Sequence, residues 1–220
     1  MKLIKTIYII TMIRSKRFLI KKYSEEFWND FKRISKKNLN EILPKIVDIG
    51  DSLFSFNYKF GPCYVAWFKA FFELGVSIEE ITTNIWHMNE KMVTAIPKSF
   101  LRLTGRFYLN GFRKKAELHV KKQSTGNLHP YDWRVKYREI SSNTFELDIT
   151  ECSLKRMADD FGVPDLLPSI CRMDYLFAYL MGNGFERTKT LGDGNDCCNC
   201  RYHIIGNCEW SPEKGFIDRK

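Results

Sequence analysis

The sequence has no long hydrophobic run, no internal repeat and no low-complexity tract. The apolar stretch at residues 6–13 is too short to span a bilayer, which needs about 20 residues. The basic segment Arg14–Arg17 stands where a secretory signal would carry small residues. These absences predict neither a transmembrane anchor nor a cleaved signal, and we expect a cytoplasmic protein without a membrane partner.

The chain also lacks the signatures of nucleic-acid recognition. Its formal net charge of +9 comes from lysines and arginines spread from Lys2 to Lys220. No recognition helix, zinc finger or aromatic ribonucleoprotein motif accompanies them. Dispersed charge is typical of a solvated surface that is also able to attract a small anion. We therefore expect a small anionic substrate and no nucleic acid.

Histidines are few, and their four positions show no paired spacing of metal ligands. The seven cysteines are an odd number that includes the adjacent pair Cys197-Cys198, which favours reduced thiols over a secreted disulfide framework. The segment from Cys197 to Cys200 has no matching Cys-x-x-Cys pair elsewhere in the sequence with which it could form a zinc site. No cofactor is expected, and zinc held by scattered thiols stays an alternative.

The first half of the sequence is predicted to be helical. Apolar residues recur at helical spacing from about Ser24 to Thr104, and Ser77 with Glu80 has the form of a capping box. Residues 1–20 are expected to be an N-terminal extension of a single domain over residues 1–220. We predict helix boundaries at Pro44, at Gly61-Pro62, at Gly75, at Pro97, and at Gly105 or Gly111.

The second half changes from helical to strand periodicity. Residues 133–137 and 145–149 alternate apolar and polar side chains, which predicts a hairpin with its turn at Ser141–Asn143. A helix is predicted at 152–161, where Gly162 follows, and another from Pro164 to about Met181.

A second hairpin is predicted to pair residues 185–191 with residues 198–205. The resulting fold class is α+β. A helical N-terminal half packs on a small antiparallel sheet, which is made of two hairpins that flank a helix pair.

Asp174 is the most informative residue for function. In a helical interpretation it lies on a stripe with apolar residues: Leu167, Cys171, Ala178 and Met181. A carboxylate on an apolar face needs a partner or a chemical role. A structural ion pair with Arg172, Arg187 or Arg201 is the alternative to catalysis.

The last predicted strand places cysteines on one face. Alternation puts Cys198, Cys200 and Tyr202 together and Arg201 on the opposite face. Arg201 therefore shares a site with Cys198 only if the strand bulges or the ligand wraps an edge. With its cysteine face inward, the strand points toward the helices that carry Cys152, Cys171 and Asp174.

Several segments resemble the L-2-amino-thiazoline-4-carboxylic acid hydrolase family, with a similarity that runs from the helical half to about Ile204. The segments that carry the resemblance are Asp132-Trp133, Asp160-Phe161-Gly162, Leu166-Leu167-Pro168, Arg187-Thr188-Lys189-Thr190-Leu191 and Cys198-Asn199-Cys200-Arg201-Tyr202. At positions 199 and 200 the family usually has an aspartate and a phenylalanine.

The resemblance implies a hydrolase that opens a cyclic amidine, 2-amino-thiazoline-4-carboxylate or a related carbon–nitrogen substrate, to an N-carbamoyl amino acid. This chemistry needs a nucleophile, a proton donor and a clamp for the substrate carboxylate. The catalytic candidates are Cys152, Cys171, Asp174 and Cys198. The substrate-binding candidates are Arg201, Arg187, Thr188 and Thr190.

The roles among these candidates stay open at this point. The thiolate of Cys152 or Cys198 would attack directly, or the thiols would hold a metal that activates water. Asp174 would act as the base, and Arg201 would grip the carboxylate. The alternative function is a non-enzymatic small-molecule binding or sensor protein on the same scaffold, and a homo-oligomer is compatible with both functions.

Overall fold

The computed structural model describes residues 2–208, in which helices precede the sheet. The first elements are α1 (Lys2–Lys22), α2 (Glu25–Ile42), α3 (Ser55–Glu73), α4 (Ile78–Val93) and α5 (Lys98–Ser124). They are followed by β1 (Arg134–Ser141), β2 (Thr144–Glu151), α6 (Ser153–Asp160), α7 (Leu167–Cys171), α8 (Met173–Met181), β3 (Gly184–Glu186) and β4 (Cys198–His203). The predicted α+β class is confirmed.

The two hairpins join into one antiparallel sheet with the strand order β1-β2-β4-β3. In the central pair, Leu147 lies opposite Cys200 and Ile149 lies opposite Cys198. These side chains are buried, as alternation along each strand requires. The predicted inward cysteine face of β4 is therefore confirmed.

Local signals set several helix ends as predicted. The Ser77 hydroxyl accepts a hydrogen bond from the Glu80 amide at the start of α4. Gly75 follows α3 with a φ of 78°, a left-handed conformation that glycine adopts without strain. Pro97 immediately precedes α5, where a missing amide hydrogen costs no helical hydrogen bond.

The predicted break at Gly61-Pro62 is wrong, because α3 continues through both residues. Pro62 removes one backbone donor, a cost that the burial of most of this helix offsets. A Cβ at Gly61 would lie 2.5 Å from the Met157 sulfur. The glycine thus permits close packing of α3 on α6 rather than ending a helix.

The predicted end of α5 at Gly105 or Gly111 is also wrong, since this helix reaches Ser124. A Cβ at Gly105 would lie 2.4 Å from the Met181 carbonyl oxygen, so this glycine lets α5 approach α8. A Cβ at Gly111 would have no neighbour within 4 Å. Neither glycine breaks the helix, because its buried face supplies the stability that glycine reduces.

Three further boundaries differ from the predictions. Pro44 lies in a short 3-10 turn after α2, and the next helix begins only at Ser55. The helix predicted from Pro164 to Met181 divides into a 3-10 turn, α7 and α8. The strand predicted to reach Leu191 ends at Glu186, because the Thr188 and Lys189 amides donate to the Asn199 side chain instead of a neighbouring strand.

One hydrophobic core connects the helices to the inner face of the sheet. Residues 2–20 of the expected extension lie in α1, and Ile7, Met12 and Leu19 of this helix are buried in that core. Among residues 2–208, no helix combines the length and the hydrophobicity that crossing a bilayer requires.

The close contact between α5 and α8 gives a direct stability test. We expect Gly105→Ala to destabilise the protein by about 1–3 kcal/mol, because the added methyl group meets the Met181 backbone. Gly111→Ala in the same helix is the matched control, and it should be neutral or stabilise by up to about 1 kcal/mol. Urea denaturation of both variants measures the difference, and equal midpoints would contradict the packing assigned to Gly105.

Candidate active site

A cavity of ≈ 320 Å³ lies between the helices and the β3 end of the sheet. Helices α3, α4, α5 and α8 contribute most of its wall. Aromatic side chains dominate this wall: Phe54, Phe56, Phe60, Tyr64, Tyr108, Phe112, Phe177, Phe185 and Tyr202. A concave apolar site with few polar groups is the usual form of a small-molecule site.

Helix α8 presents one face to this cavity. Met173, Asp174, Phe177, Ala178 and Met181 follow the spacing of three and four residues that places side chains on one side of a helix. Of the stripe predicted around Asp174, the three members in α8 line the cavity, whereas Leu167 and Cys171 do not. Asp174 is the sole ionisable carboxylate that lines the cavity among residues 2–208.

A buried arginine holds Asp174 from behind. Arg187 Nη1 donates to Asp174 Oδ2 at 2.8 Å, and Nη2 donates to the Cys171 carbonyl oxygen at 2.8 Å. The Arg187 side chain is 2% exposed, whereas that of Asp174 is 36% exposed. The guanidinium also lies 5.2 Å from the Phe185 ring centroid. The pair thus fixes the carboxylate while leaving part of it open to the cavity.

The surroundings of Asp174 change its acidity. Burial among apolar side chains raises the pKa of the Asp174 carboxyl, and the Arg187 guanidinium opposes this rise in part. The neighbouring Tyr108 also has a raised pKa, first through burial and then through the charge of Asp174. A carboxyl group with a raised pKa in a cavity is suited to accept and return protons.

The cysteine candidates cluster away from the cavity wall. Cys152 and Cys198 each interact electrostatically with Cys171, so the structure brings the three thiols together. The Leu191 amide donates to the Cys198 sulfur at 3.2 Å. Of the four predicted catalytic residues in the described chain, Asp174 alone lines the cavity.

These thiols are in their protonated form at neutral pH. Burial raises the pKa of Cys152, of Cys198 and of Cys200 to about 12. A thiol reacts as a nucleophile through its thiolate, so these cysteines are poorly activated in this conformation. Within residues 2–208, no three side chains of histidine, cysteine, aspartate or glutamate are placed to hold a metal ion.

The structure does not bring Arg201 together with the cavity. Its side chain lies on the outer face of β4, 45% exposed, and its Nη2 is 2.7 Å from Glu146 Oε1. The alternation of the strand explains this separation from Cys198. Arg187 occupies the buried position instead, where it binds Asp174 rather than the cavity.

The two predicted threonines support the loop between β3 and β4. The Thr188 hydroxyl accepts a hydrogen bond from Asn199 Nδ2 at 2.8 Å. The side-chain oxygen of Asn199, Oδ1, accepts hydrogen bonds from the Thr188 and Lys189 backbone amides. Thr190 is fully buried, and its hydroxyl accepts from the Gly192 amide. Neither threonine lines the cavity.

Sequence reasoning missed the polar groups on the opposite wall. Asn57 and Tyr64 of α3 and Tyr108 of α5 line the cavity. The signal in α5 was available, because Tyr108 and Phe112 are one turn apart and their rings stack at 6.5 Å. Nothing in the spacing alone distinguished a cavity wall from a packed core.

The protonated thiols predict slow chemical modification. With pKa values near 12, Cys152, Cys198 and Cys200 should resist a thiol reagent at pH 7.5 until the protein unfolds, because almost none of each is thiolate. Mass spectrometry of peptides after timed alkylation locates the modified residues. Modification of Cys152 or Cys198 within seconds in the native protein would contradict this prediction and support a thiolate as the catalytic nucleophile.

The buried pair predicts a large difference between two arginines. We expect Arg187→Met to destabilise the protein by about 3–5 kcal/mol, because it leaves the Asp174 carboxylate without its partner. Arg201→Met is the matched control and should cost about 0–1 kcal/mol, since its ion pair is at the surface. Guanidinium denaturation gives both values, and a small effect at Arg187 would show that the pair does not fix the site.

A comparison with protein families matches the part of the chain that contains Asp174 and Arg187. A search of curated proteins gave no match. The model of the family described as L-2-amino-thiazoline-4-carboxylic acid hydrolase matches residues 64–202, more than half of the 220 residues. The matched region includes the cavity face of α8, the Asp174–Arg187 pair and most of β4. The chain belongs to the L-2-amino-thiazoline-4-carboxylic acid hydrolase family.

Proposed function

We propose that the protein hydrolyses the ring of a cyclic amidine in this cavity, with Asp174 as the proton-transfer group. One observation carries the proposal: a single carboxylate opens into an apolar cavity and is fixed from behind by a buried arginine. The family takes its name from a hydrolase, which supports hydrolysis as the reaction class.

The reaction can be written for 2-amino-thiazoline-4-carboxylate as the reference substrate. Water adds to the ring carbon between nitrogen and sulfur, and Asp174 takes a proton from this water and passes it to the ring nitrogen. The carbon–sulfur bond of the tetrahedral adduct then breaks, and the hydroxyl proton moves to sulfur. The water oxygen becomes the carbonyl oxygen of an N-carbamoyl product, which is one water heavier than the substrate.

The arrangement around Asp174 suits both proton transfers. Arg187 holds Oδ2, so the carboxylate keeps one orientation toward the cavity throughout the reaction. The apolar wall excludes competing water and strengthens electrostatic interactions inside. We assign Cys152, Cys171 and Cys198 to packing behind the ion pair, because their thiols are protonated and lie off the wall.

The second candidate function is a non-enzymatic binding or sensor protein. The size and the aromatic wall of the cavity favour a binding function as much as a hydrolase, because an apolar cavity of about 300–1,000 Å³ is the usual site of a small ligand. Turnover separates the two functions, since a binding protein returns its ligand unchanged. For either function we propose a cytoplasmic setting, which the odd count of seven cysteines with the adjacent pair Cys197-Cys198 supports.

Replacement of Asp174 tests the catalytic assignment. Asp174→Asn keeps the shape of the side chain but cannot take the proton, so we expect turnover to fall by about 100-fold or more. Asp193→Asn is the matched control: Asp193 also pairs with a buried arginine, Arg172, at 3.0 Å, but lies off the cavity wall. Mass spectrometry of 2-amino-thiazoline compounds incubated with each folded variant measures the hydrated product.

The pH dependence gives a second readout of the same residue. The base is active as a carboxylate, so kcat/KM should fall as the pH drops through the raised pKa of Asp174, above the usual value of about 3.9.

In the substitution experiment, equal turnover per folded molecule in the Asp174→Asn and Asp193→Asn variants would contradict the role of Asp174 as the base. Absence of any hydrated product with the wild-type protein would favour the binding function.

A further inference from the structure

In the part of the chain that the structure describes, the cavity wall contains no cationic side chain that could neutralise an anionic substrate. Among residues 2–208, its wall includes one aspartate, two asparagines and three tyrosines, and it includes no lysine, arginine or histidine. The charge of the wall therefore comes from Asp174 alone. A negatively charged wall is the opposite of what a site that binds a carboxylate requires, since such a site needs a positive charge.

The nearby cations are engaged elsewhere or lie outside the wall. Arg187 is behind Asp174, where its two terminal nitrogens donate to the Asp174 carboxylate and the Cys171 carbonyl group. Lys98 lies over the Tyr179 ring at 4.1 Å. Arg201 is on the far face of the sheet with Glu146. None of the three lines the cavity.

A substrate carboxylate would therefore be buried without a counter-charge and beside a residue of the same sign. Burying an unpaired charge in an apolar environment is costly, and a neighbouring carboxylate adds repulsion. The remaining polar groups are neutral, so they can donate hydrogen bonds but supply no counter-charge. Asn183 is already engaged, since its amide donates to the Ile204 carbonyl oxygen.

A cationic amidine matches the same wall well. The amidinium group presents parallel N–H donors, as a guanidinium does, and a carboxylate accepts such donors with favourable geometry. A flat ring or an aryl substituent would pack on the aromatic side chains that surround Asp174, with an additional attraction between the cation and the ring faces. The volume of ≈ 320 Å³ leaves space for a substituent beyond the amidine ring.

We propose that the substrate is a cyclic amidine whose remaining substituent is uncharged and apolar, an aryl or alkyl group, instead of the carboxylate expected from the sequence. This inference rests on the proposed function for the reaction itself, but the preference for the ligand follows from the charge of the wall alone. It assigns Asp174 a second role as the partner of the amidinium in the resting complex. The ring nitrogen of an amidinium already carries a proton, so the proton that Asp174 takes from water here passes to the leaving sulfur, and the hydroxyl proton is released to solvent as the carbonyl group forms.

A matched ligand pair tests the preference. 2-Amino-4-phenyl-2-thiazoline and 2-amino-thiazoline-4-carboxylate share the ring and the reacting carbon and differ only at position 4. We expect the phenyl compound to bind at least about 10-fold more tightly to the full chain by calorimetry. Asp174→Asn should remove most of its affinity, while 4-phenylthiazolidine, which has no amidine, should bind both proteins alike.

Binding and turnover are measured separately, so the results can contradict the proposed ligand class and the proposed hydrolase activity independently. Tighter or equal binding of the carboxylate compound would overturn the substrate class, as would no saturable binding of the phenyl compound. Tight, Asp174-dependent binding of the phenyl compound without any hydrated product would keep the ligand class and overturn the hydrolase. Preferred binding together with preferred turnover supports both.

Discussion

The ion pair between Asp174 and Arg187 is the constraint on which the candidate site depends. Arg187 follows β3, Asp174 lies in the first turn of α8, and the guanidinium also binds the carbonyl group of Cys171. One buried side chain thus connects the sheet to the helices that bound the cavity. Because the arginine is inaccessible and the aspartate is partly open, the pair presents a fixed negative charge on one side only.

Close helix contacts give this charge an apolar enclosure. Gly105 brings α5 against α8, so two helices of the cavity wall lie in close contact. Gly61 brings α3, which also lines the cavity, against α6. The aromatic residues of α3 and α5 then face α8 across the space between them. A carboxylate in such an enclosure interacts more strongly with a cation than it would in water, which links the packing of the helices to ligand choice.

The cysteines and the β3–β4 loop have a supporting place in this arrangement. The thiols of Cys152, Cys171 and Cys198 lie near one another, with Cys198 buried and the other two residues half-buried, and they keep their protons at neutral pH. Asn199, where the family usually has an aspartate, makes three hydrogen bonds to Thr188 and Lys189 and holds the loop that follows Arg187. The carboxamide thus keeps this loop in place, and the departure at this position leaves the Asp174–Arg187 pair intact.

The sequence by itself determined the change from helices to strands, the turn of the first hairpin, the inward face of β4 and the choice of Asp174 as a candidate, because these follow from local periodicity, capping and the cost of a carboxylate on an apolar stripe. It also showed that Arg201 and Cys198 face apart. Tertiary structure alone decided that Arg187, among three candidate arginines, binds Asp174. It also decided that glycines read as helix ends are contact points and that the thiols lie off the cavity wall. These outcomes depend on distances between segments far apart in the chain, which no local pattern encodes.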